Sequence, residues 1–532
     1  DYVFYDGPPG TNAPPHIGHM MQSALKDLWP RFETMRGKRV LRKAGWDTHG
    51  LPIELTADRD LGLESKREIE EYGVEKYISY CRETVFRFKE AWEEAIWRIG
   101  RFLDLEHFYA TYTTEYIQSD WWVLKQAWET RVRPEFADPG NLLGGDRFLY
   151  KDYRISAWDP KQGTTLSNFE VAQGYLEVTD LALYVKFPIL GEENTHLLAW
   201  TTTAWTLLSN IAVAVGPDLP YVKLRLTEEV KGARAGERLI VARSRLHDVE
   251  RFIGAYEIEG EFPGRELQGL KYDPLWDFQK LRAGQRGHEV FAEEFVAADE
   301  GTGVVHIAPY GEDDFRLIKA HRLTAPLLVN EHGKVDDRLD GFGGRWFKDS
   351  DLEVDIVKDL AARGRLIGRE KHEHTYPHHY KTGTPLMFFP RPGWFIRATA
   401  MREEMLEANR LINWVPPRIR EGRFGKWLEN VIDWNITRER YWGSPLPVWS
   451  REGNGEAVCV GSLAELNEYI IRSGGKPIPP DGDLHKPWID EVVLRGEDGA
   501  ELRRENFVLD SWFNAGIMPW GQVGYPAAEG SV

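Results

Sequence analysis

The first fifty residues constrain this chain most. Tyr2 to Asp6 reads as a short strand, Gly7, Pro8 and Pro9 open a loop running through Pro14 and Pro15, and His16 begins a helical pattern that reaches about Met35. Strand, Pro/Gly loop and helix in that order predict the start of an α/β nucleotide-binding unit. At the head of the helix stands His16-Ile17-Gly18-His19. A spacing of three puts both imidazoles on one helix face, beside the free first-turn N–H groups, which suits phosphate. Gly18 has no Cβ and lets a flat base approach the backbone. Histidine donates hydrogen bonds to phosphoryl oxygens and stabilises charge on a pentavalent phosphorus without acting as a nucleophile. Taken alone, two histidines at a helix start also serve as ordinary caps or surface residues.

The remaining sequence asks for more than one folding unit. At about 150 residues per domain, 532 residues hold about three. A composition of 42% apolar and 28% charged residues, with Pro and Gly scattered, is that of a globular protein and excludes disorder or a collagen-like repeat. With 84 acidic against 67 basic side chains the net charge is −17, so nucleic acid can bind only at a local basic face. Cys81 and Cys459 allow at most one disulfide, and a reducing cytoplasm is the expected compartment. The most apolar window, Leu197 to Val215, is broken by Thr, Ser and Asn, so neither a membrane span nor a signal peptide is expected. Asp1 already lies in a strand-like run and Val532 follows a polar tail, which suggests a piece of a longer protein.

Apolar residues from Val74 to Ile99 recur every three or four positions, which predicts one long amphipathic helix ended by Gly100. Near Arg154 the texture changes to short β-rich runs, Leu181 to Phe187, Thr195 to Thr203, Ile211 to Val215 and Tyr221 to Leu226, predicting a β-rich insert over roughly 180 to 370. Helical spacing returns from Met401 to Leu411, and Val508 to Phe513 looks like another core strand.

Further motifs carry a resemblance. Gly45-Trp46-Asp47-Thr48-His49-Gly50-Leu51-Pro52, Trp200-Thr201-Thr202-Thr203, Gly301-Thr302-Gly303-Val304-Val305-His306, Arg438-Glu439-Arg440-Tyr441-Trp442-Gly443 and Leu509-Asp510-Ser511-Trp512-Phe513 follow in order along almost the whole chain. With His16 to His19, they make the sequence similar to the class I aminoacyl-tRNA synthetases. The likeness is to their isoleucine, valine and leucine branch, and most to its isoleucine enzymes. The resemblance implies an α/β fold, a Rossmann-like core interrupted by a β-rich editing domain. Residues 1–155 would form the first half of the catalytic domain with a helical connective part, and 156–180 a degenerate zinc-ribbon-like linker. The editing (CP1) domain would span 181–370, the return connection 371–420, and an incomplete second catalytic half 421–532.

The implied chemistry is ATP-dependent activation of isoleucine, with ATP bound as its Mg2+ complex, followed by transfer to the acceptor end of tRNA(Ile). His16 and His19 would contact phosphate, Gly18 would lie under adenine, Asp47 would hold the amino acid's ammonium, and Pro8 and Trp512 would wall the side-chain pocket. Asp47 also reads as a capping or loop-bracing residue. Isoleucine and valine differ by one methylene, worth about 1–3 kcal/mol in a pocket, so a hydrolytic second site is expected; the isoleucine enzymes are the standard illustration. In that site Thr201, Thr202 and Thr203 would line the hole, Asn210 would frame it, Asp314 would grip the ammonium of a mischarged valine, and His306 would orient ribose or water. Three consecutive threonines are equally good strand formers.

The sequence also departs from the pattern. Trp158 to Gln162 and His379 to Thr382 stand where cysteine pairs often bind zinc, so no zinc is expected, and His372, His374, His378 and His379 read as a solvated loop. Ala204 replaces a usual Pro, Ala308 to Asp314 is one residue short, and Asn514-Ala515-Gly516 replaces Asp-Ser-Gly. The family's KMSKS loop and anticodon-binding domain would lie beyond Val532, which implies impaired activation. Other readings are an editing-only hydrolase, a valine- or leucine-type enzyme, and a non-catalytic tRNA-acceptor or adenosine-binding fragment. A monomer without membrane contact is expected.

Overall fold

The computed structural model describes residues 1–526 except 64, 139–140, 142, 167–170, 298, 381 and 452–454. The chain divides into two compact units, Asp1–Tyr153 with Pro392–Val532, and Arg154–Arg391. Among the described residues no helix is long and apolar enough to cross a membrane. Both cysteines are free and buried.

The first unit is assembled from both ends of the chain. Lys43–Trp46 and Asp104–Ala110 form a parallel pair, and the short strands Thr437–Arg438 and Val508–Leu509 pair antiparallel. Its core draws on Leu124, Trp394, Ile436, Leu446, Leu509 and Phe513, so neither end can bury its apolar surface alone. The helix Ile17–Met35 starts where the sequence predicts. Tyr2 to Asp6, expected as a strand, makes only the bridge Tyr2 to Val40. The segment is instead tied by its last residue, Asp6, to Arg101 and Lys26 at 2.5 Å each.

Two further expectations are corrected here. The single helix over 74–99 is two, Val74–Thr84 and Lys89–Arg98. The Thr11 hydroxyl takes the Val85 carbonyl, while the Arg87 and Lys89 amides turn back three residues, to Thr84 and Phe86, so the four-residue ladder breaks although apolar spacing continues. The strand expected over 508–513 stops at Leu509 because the Asp510 carboxylate accepts the Trp512 amide at 3.0 Å and caps the helix Ser511–Gly516.

The second unit is built on a six-stranded sheet. Its order is Tyr256–Pro263, Pro220–Leu226, Arg238–Ala242, Thr195–Thr201, Tyr175–Pro188 and Leu366–Pro377, with only the Thr195–Thr201 and Arg238–Ala242 neighbours parallel. A smaller sheet sets Ala212–Val215 between Val290–Ala292 and Val304–Ile307. The strand beginning at Tyr175 takes up positions assigned to a linker. His372 and His374, expected in a loop, lie on the edge strand opposite Asp180 and Val178.

Within the first unit, Glu54 is the joint. This buried carboxylate accepts the Tyr441 and Trp442 amides at 2.9 and 2.8 Å and faces Arg440 at 3.3 Å. Glu54→Ala removes the acceptor of two backbone N–H groups, that of Trp442 buried, and the carboxylate beside Arg440, and chemical denaturation should show a loss of about 3 kcal/mol. A loss under about 1 kcal/mol, the level of a surface pair, would contradict that role.

Candidate functional site

The two histidines form their own cap. His16 Nδ1 accepts the Gly18 amide at 3.1 Å, His19 Nδ1 accepts the His16 amide at 3.2 Å, and the rings stack 3.6 Å apart. This is a capping box made of imidazoles. Because each Nδ1 is an acceptor, the proton of each neutral ring sits on Nε2, and that N–H is the donor left for a ligand. Burial, and secondarily the charge of His16, lowers the His19 pKa and favours its neutral form. An added Cβ at Gly18 would lie 3.0 Å from His16 Cε1. The space that the sequence assigns to adenine is therefore bounded by the His16 ring.

Asp47 occupies the end of the strand Lys43–Trp46. Its amide donates to the Pro9 carbonyl at 2.9 Å, beside half-buried Pro8, and Gly10 bridges to it. The next residues are held from the far end of the chain. The Trp442 indole N–H donates to the Thr48 carbonyl at 2.7 Å, and the Gly50 amide to the Trp442 carbonyl at 3.2 Å. Gly50 has φ +87, which favours glycine, and a Cβ there would meet Ser511 at 3.0 Å. Asp510, held by Arg438 at 2.5 Å, adds its charge to the surroundings of Asp47. Thus Pro9–Gly10, Asp47–Gly50 and Asp510–Ser511 converge. Burial first, opposed by the His49 amide and assisted by Asp510, pushes the Asp47 carboxyl up to about 7. Its Oδ1 is buried and completes no hydrogen bond.

His19 reaches this region through an aromatic row. Its ring is 4.8 Å from that of Trp92, which is 6.3 Å from that of Trp46, next to Asp47. Trp512, expected as a pocket wall, is 77% exposed, while Phe513 and Asn514 take the buried face of the short helix.

The second unit holds a cleft of about 470 Å³ lined by Thr201, Thr202, Thr203, His306 and Asp314. The chain turns from the strand Thr195–Thr201 into a 3-10 turn, Ala204–Ser209, which opens with the alanine that replaces proline. Hydroxyls run in series from Thr201 to Thr203 at 3.2 Å, to Thr206 at 3.0 Å, and to His306 Nε2 at 3.1 Å. Burial lowers the His306 pKa to about 4 and leaves the ring neutral, with Nδ1 unpartnered. Asp314 sits in the first turn of the helix Glu312–Ala320 and accepts the Ala308 amide at 3.1 Å. Burial pushes its carboxyl up to about 7.

Asn210 is not among the residues lining this cleft. It is buried, donating to the Ala212 carbonyl at 2.9 Å and accepting the Tyr272 hydroxyl at 2.7 Å, so it braces two segments instead of framing the hole. Thr206, which the sequence analysis passed over, joins the cleft because three-residue spacing on the 3-10 turn returns it beside Thr203.

The histidines of 372–379 turn to separate partners. His372 pairs with Glu300 at 3.1 Å, His374 with Asp180 at 3.1 Å, and His378 Nδ1 with the Tyr376 carbonyl at 2.9 Å. Asp159, in the other segment lacking cysteines, accepts the Lys161 and Gln162 amides. Lys381 lies outside the described residues. Among the described residues no group of three or more His, Cys, Asp or Glu is placed to hold a metal ion.

Residues 1–531 match the family described as tRNA synthetases class I (I, L, M and V). The chain is 43% identical over 527 residues to an isoleucine–tRNA ligase of Clostridium acetobutylicum, covering 99% of this chain and 47% of that one. Identity to the Clostridium tetani enzyme is 42%, with the same coverage. To that of Bacillus thuringiensis it is 41%, covering 99% of this chain and 48% of the relative. The chain spans about half the length of the curated relatives it matches.

Nitrogen-15 spectra should show Nδ1 of His16 and His19 unprotonated at neutral pH, and Gly18→Ala should return His16 to a mixture of tautomers. A mixture already present in the unsubstituted chain would contradict the paired cap.

Proposed function

From the premise that this chain belongs to the class I tRNA synthetases (I, L, M and V), we propose that it carries the activating and editing chemistry of an isoleucine–tRNA ligase. On this reading Asp1–Tyr153 with Pro392–Val532 belongs to the catalytic domain and Arg154–Arg391 is the editing domain. The substrates are isoleucine, ATP with Mg2+, and the acceptor end of tRNA(Ile). The observation that carries the reading is Asp47, whose buried, unpartnered oxygen stands where three segments converge.

An ammonium supplies what that oxygen lacks. Its charge stabilises the ionised carboxylate and draws the pKa back down, giving a charge-assisted hydrogen bond in a site of low polarity. Isoleucine's own carboxylate then attacks the α-phosphorus of ATP, an O–P bond forms, and pyrophosphate departs with the electrons of the bond that breaks. The Nε2–H groups of His16 and His19 donate to phosphoryl oxygens as charge develops, and take no covalent part. In the second step a ribose hydroxyl of the tRNA end attacks the adenylate carbonyl and AMP leaves.

In the cleft, water attacks the ester carbonyl of a mischarged valine and releases it from the ribose. Asp314 pairs with the ammonium, the threonine series orients hydroxyl groups of substrate and water, and neutral His306 holds the end of that series. The hydrolase-only alternative is favoured by one observation, that every residue lining the cleft comes from Arg154–Arg391.

Two measurements divide these readings. Calorimetry should show binding of a non-hydrolysable isoleucyl-adenylate analogue, weakened about 10- to 100-fold by Asp47→Asn, as for loss of a charged hydrogen bond. Absence of binding to the unsubstituted chain, with hydrolysis of Val-tRNA(Ile) intact, would leave the hydrolase reading alone. At subsaturating substrate, where the free chain titrates, hydrolysis should rise with pH through about 7, because the Asp314 pKa is raised and only its ionised form pairs with the ammonium. Asp314→Asn should abolish that rise, and a rise retained in this variant would contradict the assignment.

A further inference from the structure

Beneath the Asp47 loop lies a buried polar chain that the activation chemistry leaves without a task. His49 and His485 are 3% and 1% exposed and meet Nε2 to Nε2 at 2.8 Å. His485 Nδ1 lies 2.7 Å from Asp483 Oδ1, Asp483 Oδ2 accepts from Arg82 at 2.5 Å, and the Trp442 indole stacks on the His485 ring at 4.6 Å. At the other end the Asn514 amide lies 2.5 Å from buried Asp120 and also interacts with His49. His49 Nδ1, Asn514 Oδ1 and Asp120 Oδ1 are buried and complete no hydrogen bond.

Hydrogen-bond chemistry gives the chain a direction. Burial opposes ionisation of Asp483, but the His485 contacts and Arg82 outweigh it and hold the carboxyl well below its usual range. Arg82 Nη2 lies 3.1 Å from His485 Nδ1 but only 2.5 Å from Asp483 Oδ2, so the guanidinium donates to the carboxylate, and the carboxylate accepts Nδ1–H of His485 over the shorter 2.7 Å contact. Burial lowers the His485 pKa, so the ring is neutral and its bare Nε2 accepts Nε2–H of His49. Burial, then His485 and Arg82, also keep His49 neutral, with a bare Nδ1 that needs a donor. A half-turn of the Asn514 amide supplies one and turns its oxygen to Asp120, whose carboxyl burial pushes well above its usual range. In this order His49 Nδ1 gains a donor, and Asn514 Oδ1 faces a carboxyl that burial shifts toward its protonated form.

Through His49 the chain borders the Asp47 loop. His49 follows Asp47 by two residues, and its backbone amide favours the ionised form of Asp47. The geometry points to Asp483, His485 and His49 as positioning residues: their hydrogen bonds lock the His49 ring, and the His49 backbone in turn holds Asp47 with one oxygen open to an ammonium. This rests on the reading of Asp47 as the amino-acid grip. It also accounts for asparagine at 514, since the position must donate to one neighbour and accept from another, which an ionised carboxylate cannot do.

The test compares His485→Asn and Asp483→Asn with His485→Gln, whose longer amide reaches His49. Affinity for the isoleucyl-adenylate analogue should fall about tenfold in the first two, the size of one lost hydrogen bond, and recover in the third, while affinity for ATP is unchanged. Unchanged analogue affinity in His485→Asn would overturn the proposal. Two spectroscopic readouts need no amino acid. Nitrogen-15 signals should show His49 Nδ1 unprotonated in the unsubstituted chain and a tautomer mixture in His485→Asn. The carbon-13 titration of the Asp47 carboxyl should shift in the same variant. A protonated His49 Nδ1, or an Asp47 titration indifferent to His485, would overturn the positioning role even in a chain that fails to bind the analogue. Failure of binding with both spectroscopic effects present would instead reject the ammonium reading and leave the positioning role standing.

Discussion

The acceptance of two backbone amides by Glu54 carries more of this structure than its size suggests. Tyr441 and Trp442 arrive from nearly four hundred residues away, and their N–H groups are satisfied by a carboxylate on the helix Leu51–Leu61. Once they are fixed, the Trp442 indole reaches the Thr48 carbonyl and its own carbonyl receives the Gly50 amide. The loop bearing Asp47 is thus pinned from outside its own neighbourhood. A carboxylate held on several hydrogen bonds in a buried place is costly to disturb, so the geometry of the Asp47 loop inherits the rigidity of this joint.

The same electrostatic device occurs in both units. Asp47 and Asp314 each sit where burial pushes a carboxyl up to about 7; the backbone of neutral His49 touches the first, and neutral His306 lines the same cleft as the second. A carboxyl so poised gains most from a cation, because the partner restores the stabilisation that desolvation removed. Keeping the nearby imidazoles neutral avoids a competing internal cation. On the proposed reading, holding an amino acid by its ammonium would be met twice with different scaffolds: a strand end in one unit and the first turn of a helix in the other.

The sequence made much of this legible where local rules decide. The helix from Ile17, the β-rich insert and the threonine run at 201–203 follow from loop composition, alternation and motif. It misled where a single side chain competes with the backbone. Apolar spacing continues through Val85 to Phe88, yet Thr11 takes a carbonyl there and breaks the helix. Asp510 ends a strand that apolar content alone would prolong. Asn210 and Trp512 were assigned by motif, and motif does not specify which way a side chain faces; one is a buried brace, the other exposed. Glu54, Thr206 and His485 were invisible because their partners lie far away or one turn on.

The central claim is that Asp47 is the grip for the ammonium of an amino acid. A crystal structure of the chain with isoleucine tests it most directly. The ammonium nitrogen should lie about 3 Å from Asp47 Oδ1, with the Glu54 and Trp442 contacts unchanged. Isoleucine bound elsewhere, with Oδ1 still unpartnered, would contradict it.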